Sequence, residues 1–345
     1  MSSISLYNTR MSARPRLWLI VLGLAGMLLA SSGCDRIDRW RAERAMESGR
    51  EALAQGDFQE AEKRFAKAVR IAPQYPMPYI VLSGVRSTLG KNEQAVEDAG
   101  KALEITPDAP GALLNRARAY VGLGRYAEAL EDVDRALELA PGLEDAWYVR
   151  GRANAGLGRY EDAISDHTAE IQANPGDRNA YNNRGNAYRG AGRPGKAVDD
   201  FNTALRLDPL SAATYYNRGL AREDLGEYDR ALADMRKARN LNGFPNLYAA
   251  MARIHMRQGK PRRAVALLDE AVEKYPDNHG LGLMKAVYLA AAGRFDEAAR
   301  MVDAACEGRE DAAACQRTRQ RISAIEAGRE RKDTEGESRG EPAGQ

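Results

Sequence analysis

The sequence predicts an all-α solenoid: about eight helix-turn-helix repeats in series, closed by a capping helix at the C-terminal end. Three observations predict it. Glycines recur at a fixed interval: Gly56, Gly90, Gly124, Gly158, Gly192 and Gly226 stand 34 residues apart, one step of 33 reaches Gly259, and another 34 reaches Gly293. Five residues after each stands an alanine: Ala61, Ala95, Ala129, Ala163, Ala197, Ala231, Ala264 and Ala298. Aromatics are only 7 % of the 345 residues, Ala, Leu, Glu and Arg abound, and alternating β-branched runs are scarce. Unbranched side chains lose little rotamer freedom in a helix, and a repeat of this length marks stacked supersecondary units.

The first element, residues 1–33, reads as an address. Arg10, Arg14 and Arg16 precede an uncharged apolar run from Leu17 to Ala30, and the small residues Ser31, Ser32 and Gly33 follow. This is the three-part layout of a secretory signal. The run is short for a membrane-spanning helix of ~20 residues. Met1 and Met11 both remain as starts. "SSGC", ending at Cys34, resembles the bacterial lipoprotein lipobox, with Ser31 where leucine is most common. The resemblance implies cleavage before Cys34 and acylation of its sulfur, hence lipid anchoring at the periplasmic face of a bacterial envelope. Cleavage by the ordinary signal peptidase and an uncleaved anchor are the alternatives. Asp35 resembles an enteric inner-membrane retention signal, which leaves inner against outer membrane open. Residues 34–41 read as a lipidated link.

The repeats divide as 42–75, 76–109, 110–143, 144–177, 178–211, 212–244, 245–278 and 279–310, with prolines near the end of most (Pro73, Pro107, Pro141, Pro175, Pro209, Pro276). In the fourth, a first helix over about Glu144–Leu157 and a second over Tyr160–Ala173 are expected. Gly151 and Ala163 let them cross closely, and Gly158 supplies a positive φ at the turn. Pro175 stops the second helix. "AWYVRGRANAGLGRYEDAI", "AYNNRGNAYRGAGRPGKAV" and "TYYNRGLAREDLGEYDRAL" resemble the tetratricopeptide repeat. That resemblance implies a right-handed superhelix whose first helices line a concave groove, in the manner of the bacterial tetratricopeptide lipoproteins that scaffold other envelope proteins.

Where leucine is common in that family, four consecutive units carry Arg116, Arg150, Arg184 and Arg218, and their second helices carry Asp132, Asp166, Asp200 and Asp234. The second unit has Leu82 with Asp98, the seventh Met251 with Leu267. Arginine and aspartate come and go nearly together, as ion pairs within the stacked layers would. Pairing within a unit and pairing to the next unit both fit the spacing. The planar guanidinium fork suits a partly buried carboxylate.

The family's groove register implies Arg118, Tyr148, Arg152, Asn179, Asn182, Asn186, Arg189 and Tyr216 as partner-binding residues. Tyrosine and arginine are frequent hot-spot residues. The carboxylate clamp of chaperone-binding relatives is not intact: Asn186 and Asn217 match it, while Asn182, Asn246 and Ala250 stand where basic residues belong.

Residues 311–328 read as a capping helix, with Ala312, Cys315, Ile322 and Ile325 inward, because a solenoid's last face must be covered. Cys306 and Cys315 are either a disulfide, which export favours, or two thiols. Residues 329–345 are charged and read as disordered.

The balance of 51 basic and 49 acidic residues argues against a nucleic-acid partner. Cysteine and histidine spacing shows no metal site, and no cofactor motif stands in its required context. "GAGRPGKA" at 190–197 fits GxGxxG, but a helix precedes it where a strand is needed. His167 reads as a packed core residue. The expectation is therefore a non-enzymatic scaffold, anchored by lipid, that grips an envelope protein or peptide segment. A carbohydrate- or small-ligand-binding solenoid is the alternative.

Overall fold

The computed structural model describes residues 33–143, 145–307 and 312–338; the signal segment up to residue 32 lies outside them. Among the described residues all regular structure is helical. The chain divides between Pro175 and Gly176 into two compact units. The first carries four hairpins: α1 (Gly33–Ala54) with α2 (Phe58–Ile71), α3 (Pro76–Thr88) with α4 (Asn92–Ile105), α5 (Pro110–Gly122) with α6 (Tyr126–Leu139), and α7 (Ala146–Gly156) with α8 (Tyr160–Ala173). The second carries four more: α9 (Arg178–Gly190) with α10 (Pro194–Leu207), α11 (Ala212–Asp224) with α12 (Tyr228–Asn242), α13 (Pro245–Arg257) with α14 (Pro261–Lys274), and α15 (His279–Ala291) with α16 (Phe295–Cys306). The last helix of that unit is α17 (Ala312–Ser338).

Each hairpin turns in the same way. The residue after the turn glycine donates its N–H five residues back, as in Arg125 to Tyr120 and Arg159 to Asn154, both at 2.9 Å. This closes the first helix with a left-handed residue that satisfies its terminal carbonyls. The eight turn glycines have φ between +68° and +80°. At Gly158 a Cβ would meet nothing within 4 Å, so glycine is there for its backbone freedom alone.

The glycines inside the first helices are there for space. A Cβ on Gly185 would stand 2.7 Å from the Phe201 ring, one on Gly151 2.7 Å from His167, one on Gly49 2.6 Å from Phe65, and one on Gly219 3.0 Å from Met235. In other repeats the same crossing is made by an alanine with a smaller partner: Ala117 with Val133, Ala252 with Leu268, Ala286 with Val302. The volume at each crossing is thus shared between the two helices, as close packing requires. No hairpin could cover its own apolar face; in each unit successive hairpins close a shared core, as where Tyr79, Leu113, Leu137 and Val149 meet.

Both ends differ from expectation. Residues 34–41, read as a link, lie inside α1. Asp38–Arg41 and Arg39–Glu43 pair along its surface, and Ala42 is fully buried where the helix docks. The tail from 329 is helical to Ser338, because arginine, glutamate and lysine are good helix formers and a helix extends readily once its first turns are packed. Cys315, Ile322 and Ile325 of α17 pack inward toward α16; the side chain of Ala312 lies outside what is described. Cys306 and Cys315 form a disulfide that ties α16 to α17.

Candidate binding surface

Charged pairs lie beneath the surface and fix how the first helices sit. Arg116 donates Nε and Nη2 to the two oxygens of Asp132, each at 2.7 Å. Arg184 does the same to Asp200 at 2.8 Å, and Arg218 to Asp234 at 2.9 and 2.6 Å. Arg150 places both donors on one oxygen of Asp166, at 3.0 and 2.7 Å. Partners are always 16 residues apart, so the pairing is within a hairpin. These aspartates are buried, where a two-toothed guanidinium contact is the strongest partner available.

The structure adds two features. A second donor reaches the aspartate from a position 12 residues before it: Arg86 to Asp98 at 2.8 Å, Asn154 to Asp166 at 2.9 Å, Arg222 to Asp234 at 2.7 Å. In the repeats between, that position is Tyr120 or Tyr188, whose rings lie 6.0 and 5.8 Å from the guanidinium carbons of Arg116 and Arg184. Asp98, which lacks an arginine at position 82, is therefore still partnered. First-helix cations also reach back to the preceding repeat: Arg150 Nη1 to Asp134 at 3.1 Å, Arg218 Nη1 to Asn202 at 2.7 Å, Lys285 to Asp269 at 2.7 Å.

With the layers so fixed, the predicted groove residues fall into two sets, one per unit. In the first unit, Arg118 is held by Asp145 at 3.3 Å and Asn115 at 3.4 Å, whereas Arg152 is exposed and donates to the Tyr148 hydroxyl at 3.2 Å. In the second unit, Asn179 and Asn186 are exposed. Asn182 accepts from Asn217 at 3.1 Å, and Arg189 donates to Asp224 at 2.6 Å. Tyr216 is half-buried with its ring edge-on to Phe244, centroids 5.1 Å apart; burial pushes its phenol above the usual range. Arg118, Arg189 and Tyr216 thus have structural ties as well as a place on the surface.

One group escaped sequence reasoning. Glu223, near the end of α11, is buried and grasped by Arg253 at 2.8 and 2.7 Å and by Arg257 at 3.3 Å, both from the next repeat. A visible signal existed: a glutamate on the groove register, followed 30 and 34 residues later by arginines one helical turn apart. The glycine-rich stretch at 190–197 is an ordinary repeat turn, with Gly192 at φ +72° and Ala197 fully buried. His167 is 1 % exposed, with Nδ1 3.1 Å from Glu170. Among the described residues no three His, Cys, Asp or Glu side chains gather as metal ligands.

The profile of the tetratricopeptide-repeat family matches residues 85–144, 121–178, 182–243 and 249–314, well over half of the chain. The chain belongs to the tetratricopeptide-repeat family. Among solved structures, this tetratricopeptide-repeat protein is similar to one from Parabacteroides merdae, with 23 % identity, a TM-score of 0.56, and coverage of 72 % of this chain and 99 % of that one. That likeness concerns the fold. It is also similar to a thermophilic tetratricopeptide-repeat protein of Thermus thermophilus, with 28 % identity, a TM-score of 0.46, and coverage of 52 % and 99 %. No curated protein sequence matches it. Tetratricopeptide repeats typically serve as scaffolds, and the accessible groups on these first helices, guanidinium, amide and phenol, are suited to holding a polypeptide.

Proposed function

We propose that this protein is a lipid-anchored scaffold of the bacterial envelope, whose first-helix surfaces hold a segment of another envelope protein. The observation that carries the binding half is the division of labour among the polar residues. The Arg–Asp pairs are spent inside the hairpins. Arg152, Asn179 and Asn186 have no comparable duty and are exposed, and Tyr148, half-buried against the core of the first unit, turns its hydroxyl to Arg152. Asparagine can bond a peptide backbone through both its donor and its acceptor.

The anchoring half is supported by the sequence of residues 10–34 and by the Cys306–Cys315 disulfide, since such bonds persist in oxidising compartments. Two or more acyl chains at Cys34 anchor stably where one is marginal. No helix among the described residues is long and apolar enough to cross a membrane.

The test is crosslinking and capture from the envelope fraction, with wild type and with a variant that carries Tyr148→Phe, which keeps the ring packed on the core, and alanine at Arg152, Asn179 and Asn186. The wild type should bring down a defined set of envelope proteins, and the variant should lose them while melting at the same temperature. Recovery of the same set with both would end the binding half. A cytosolic protein that keeps residues 1–33 and takes up no radiolabelled palmitate would end the anchoring half.

A further inference from the structure

Glu223 raises a question of charge. Its side chain is 2 % exposed, and Nε and Nη2 of Arg253 already meet both of its oxygens. A bidentate arginine offsets a buried carboxylate. Arg257, 3.3 Å away on the same helix as Arg253, is a second cation for the same anion. The two arginine side chains remain 42 % and 48 % exposed. Among the described residues, Arg253 Nη1 and Arg257 Nε and Nη2 have no acceptor.

The surroundings do not cancel the surplus. Arg189 and Asp224 neutralise each other at 2.6 Å, Asp234 is taken by Arg218 and Arg222, and Asp269 by Lys285. Arg321 of α17 adds a further positive charge, close enough to act on the Tyr288 phenol. Tyr216 and Tyr288 border the cluster and feel the charges of Arg253 and Glu223. Burial raises both phenols, so both keep their O–H as donors. The surface therefore presents fixed N–H and O–H donors and excess positive charge, with its main arginine already oriented from below by Glu223. Preorganised donors of this kind bind with less ordering cost.

We propose that Arg253 and Arg257, steadied by Glu223 and flanked by Tyr216 and Tyr288, are the acceptor for a carboxylate-bearing segment of a partner protein. The proposal rests on the scaffold reading above and gives the partner its chemistry: an acidic stretch, its carboxylate lying across the free edges of the two guanidinium groups.

The test is calorimetric titration of the full chain with acetylated, amidated hexaglutamate and with its hexaglutamine counterpart. Hexaglutamate should bind, more weakly as salt is raised, and hexaglutamine should bind at least about tenfold less tightly. Arg257→Gln should weaken hexaglutamate by about tenfold. Glu223→Gln keeps an amide oxygen as acceptor beneath Arg253 while removing the competing charge, and should tighten it. A purely structural cluster would move both variants in the same direction, so opposite signs carry the proposal. Equal affinity for the two peptides, or the same sign in both variants, would overturn it. So would displacement of hexaglutamate by inorganic phosphate at equal concentration, which marks a small-anion site instead. If hexaglutamate behaves as expected while envelope capture fails, the scaffold reading falls and this site stands. Capture without any hexaglutamate preference gives the reverse.

Discussion

The second and sixth repeats bury the same aspartate in different company. Asp234 receives both teeth of Arg218 and a third bond from Arg222. Asp98 has Leu82 at the place of Arg218 and receives only Arg86 Nη1, at 2.8 Å. Arg86 is itself shared with Glu62, which it and Lys91 hold below the usual carboxylate range. Burial accordingly pushes the Asp98 carboxyl up to about 6, against the pull of Arg86. Position in the repeat decides that a carboxylate is buried; the number of charged donors around it decides what the burial costs.

The largest effect should come from turning the sixth repeat into the second. Arg218→Leu leaves Asp234 with Arg222 alone and also removes the bond to Asn202 at 2.7 Å. Breaking a buried pair from one side costs about 3–5 kcal/mol, which denaturant unfolding would read directly. Adding Asp234→Leu should restore part of that loss, since the seventh repeat already uses Met251 with Leu267 at these places and an apolar pair of similar volume replaces an ion pair without penalty; the remainder is the cost of leaving Arg222 without its acceptor. A double variant no better than the single one would refute the argument that the lone carboxylate is the cost.

This comparison also shows what the sequence made legible. The 34-residue period, the turn glycines and the coupled appearance of arginine and aspartate follow from local rules, and they placed the hairpins and singled out the residues that pair. The pairing register was not legible, because a side chain on the first helix has aspartates within reach in sequence both inside its hairpin and beyond it. The second donor was hidden by its changing chemistry: Arg86, Asn154 and Arg222 do one job with two residue types, and Tyr120 and Tyr188 stand in the same register with aromatic rings. Glu223 with Arg253 and Arg257 left a readable spacing, but its pairing runs between repeats, where the within-hairpin rule does not reach. The surface set was legible in position only. That Arg118 and Arg189 are tied down, and Arg152 is not, depends on Asp145 and Asp224, whose reach no spacing gives.

The second effect concerns pH. The folded protein holds the Asp98 proton up to about pH 6, whereas the unfolded chain releases it near the ordinary value of 3.8. Between these values the folded state binds more protons, so this residue's contribution falls as pH rises through the window and is level above it. The full difference amounts to at most about 3 kcal/mol. Asp98→Asn keeps an acceptor for Arg86 and carries no charge. It should flatten the slope between pH 4 and 6 and leave the variant more stable than wild type at pH 7. An unchanged slope in unfolding measured across that window would show that one shared donor serves Asp98 as well as three serve Asp234.

The smallest effect tests whether the helix crossing obeys the same logic of partners. In the second repeat the crossing is Ser83 with Ala99, both fully buried; in the sixth it is Gly219 with Met235. A Cβ on Gly219 would meet Met235 Cγ at 3.0 Å and the Ala231 carbonyl oxygen at 3.3 Å. Methionine is flexible and can yield, and alanine is worth about 1 kcal/mol over glycine inside a helix. The two terms offset each other, and Gly219→Ala should change stability by less than about 0.5 kcal/mol. Gly185→Ala offers the contrast, because its Cβ would enter a rigid ring, Phe201, at 2.7 Å. Overpacking there exceeds the propensity gain, with a net loss of about 1–2 kcal/mol. Reducing the partner, as Phe201→Leu in the Gly185→Ala background, should recover part of it by recreating the Ala252–Leu268 arrangement. Equal losses at Gly219 and Gly185 would mean that the helices cannot move apart at either crossing, and that the side chain opposite is not what sets the tolerance.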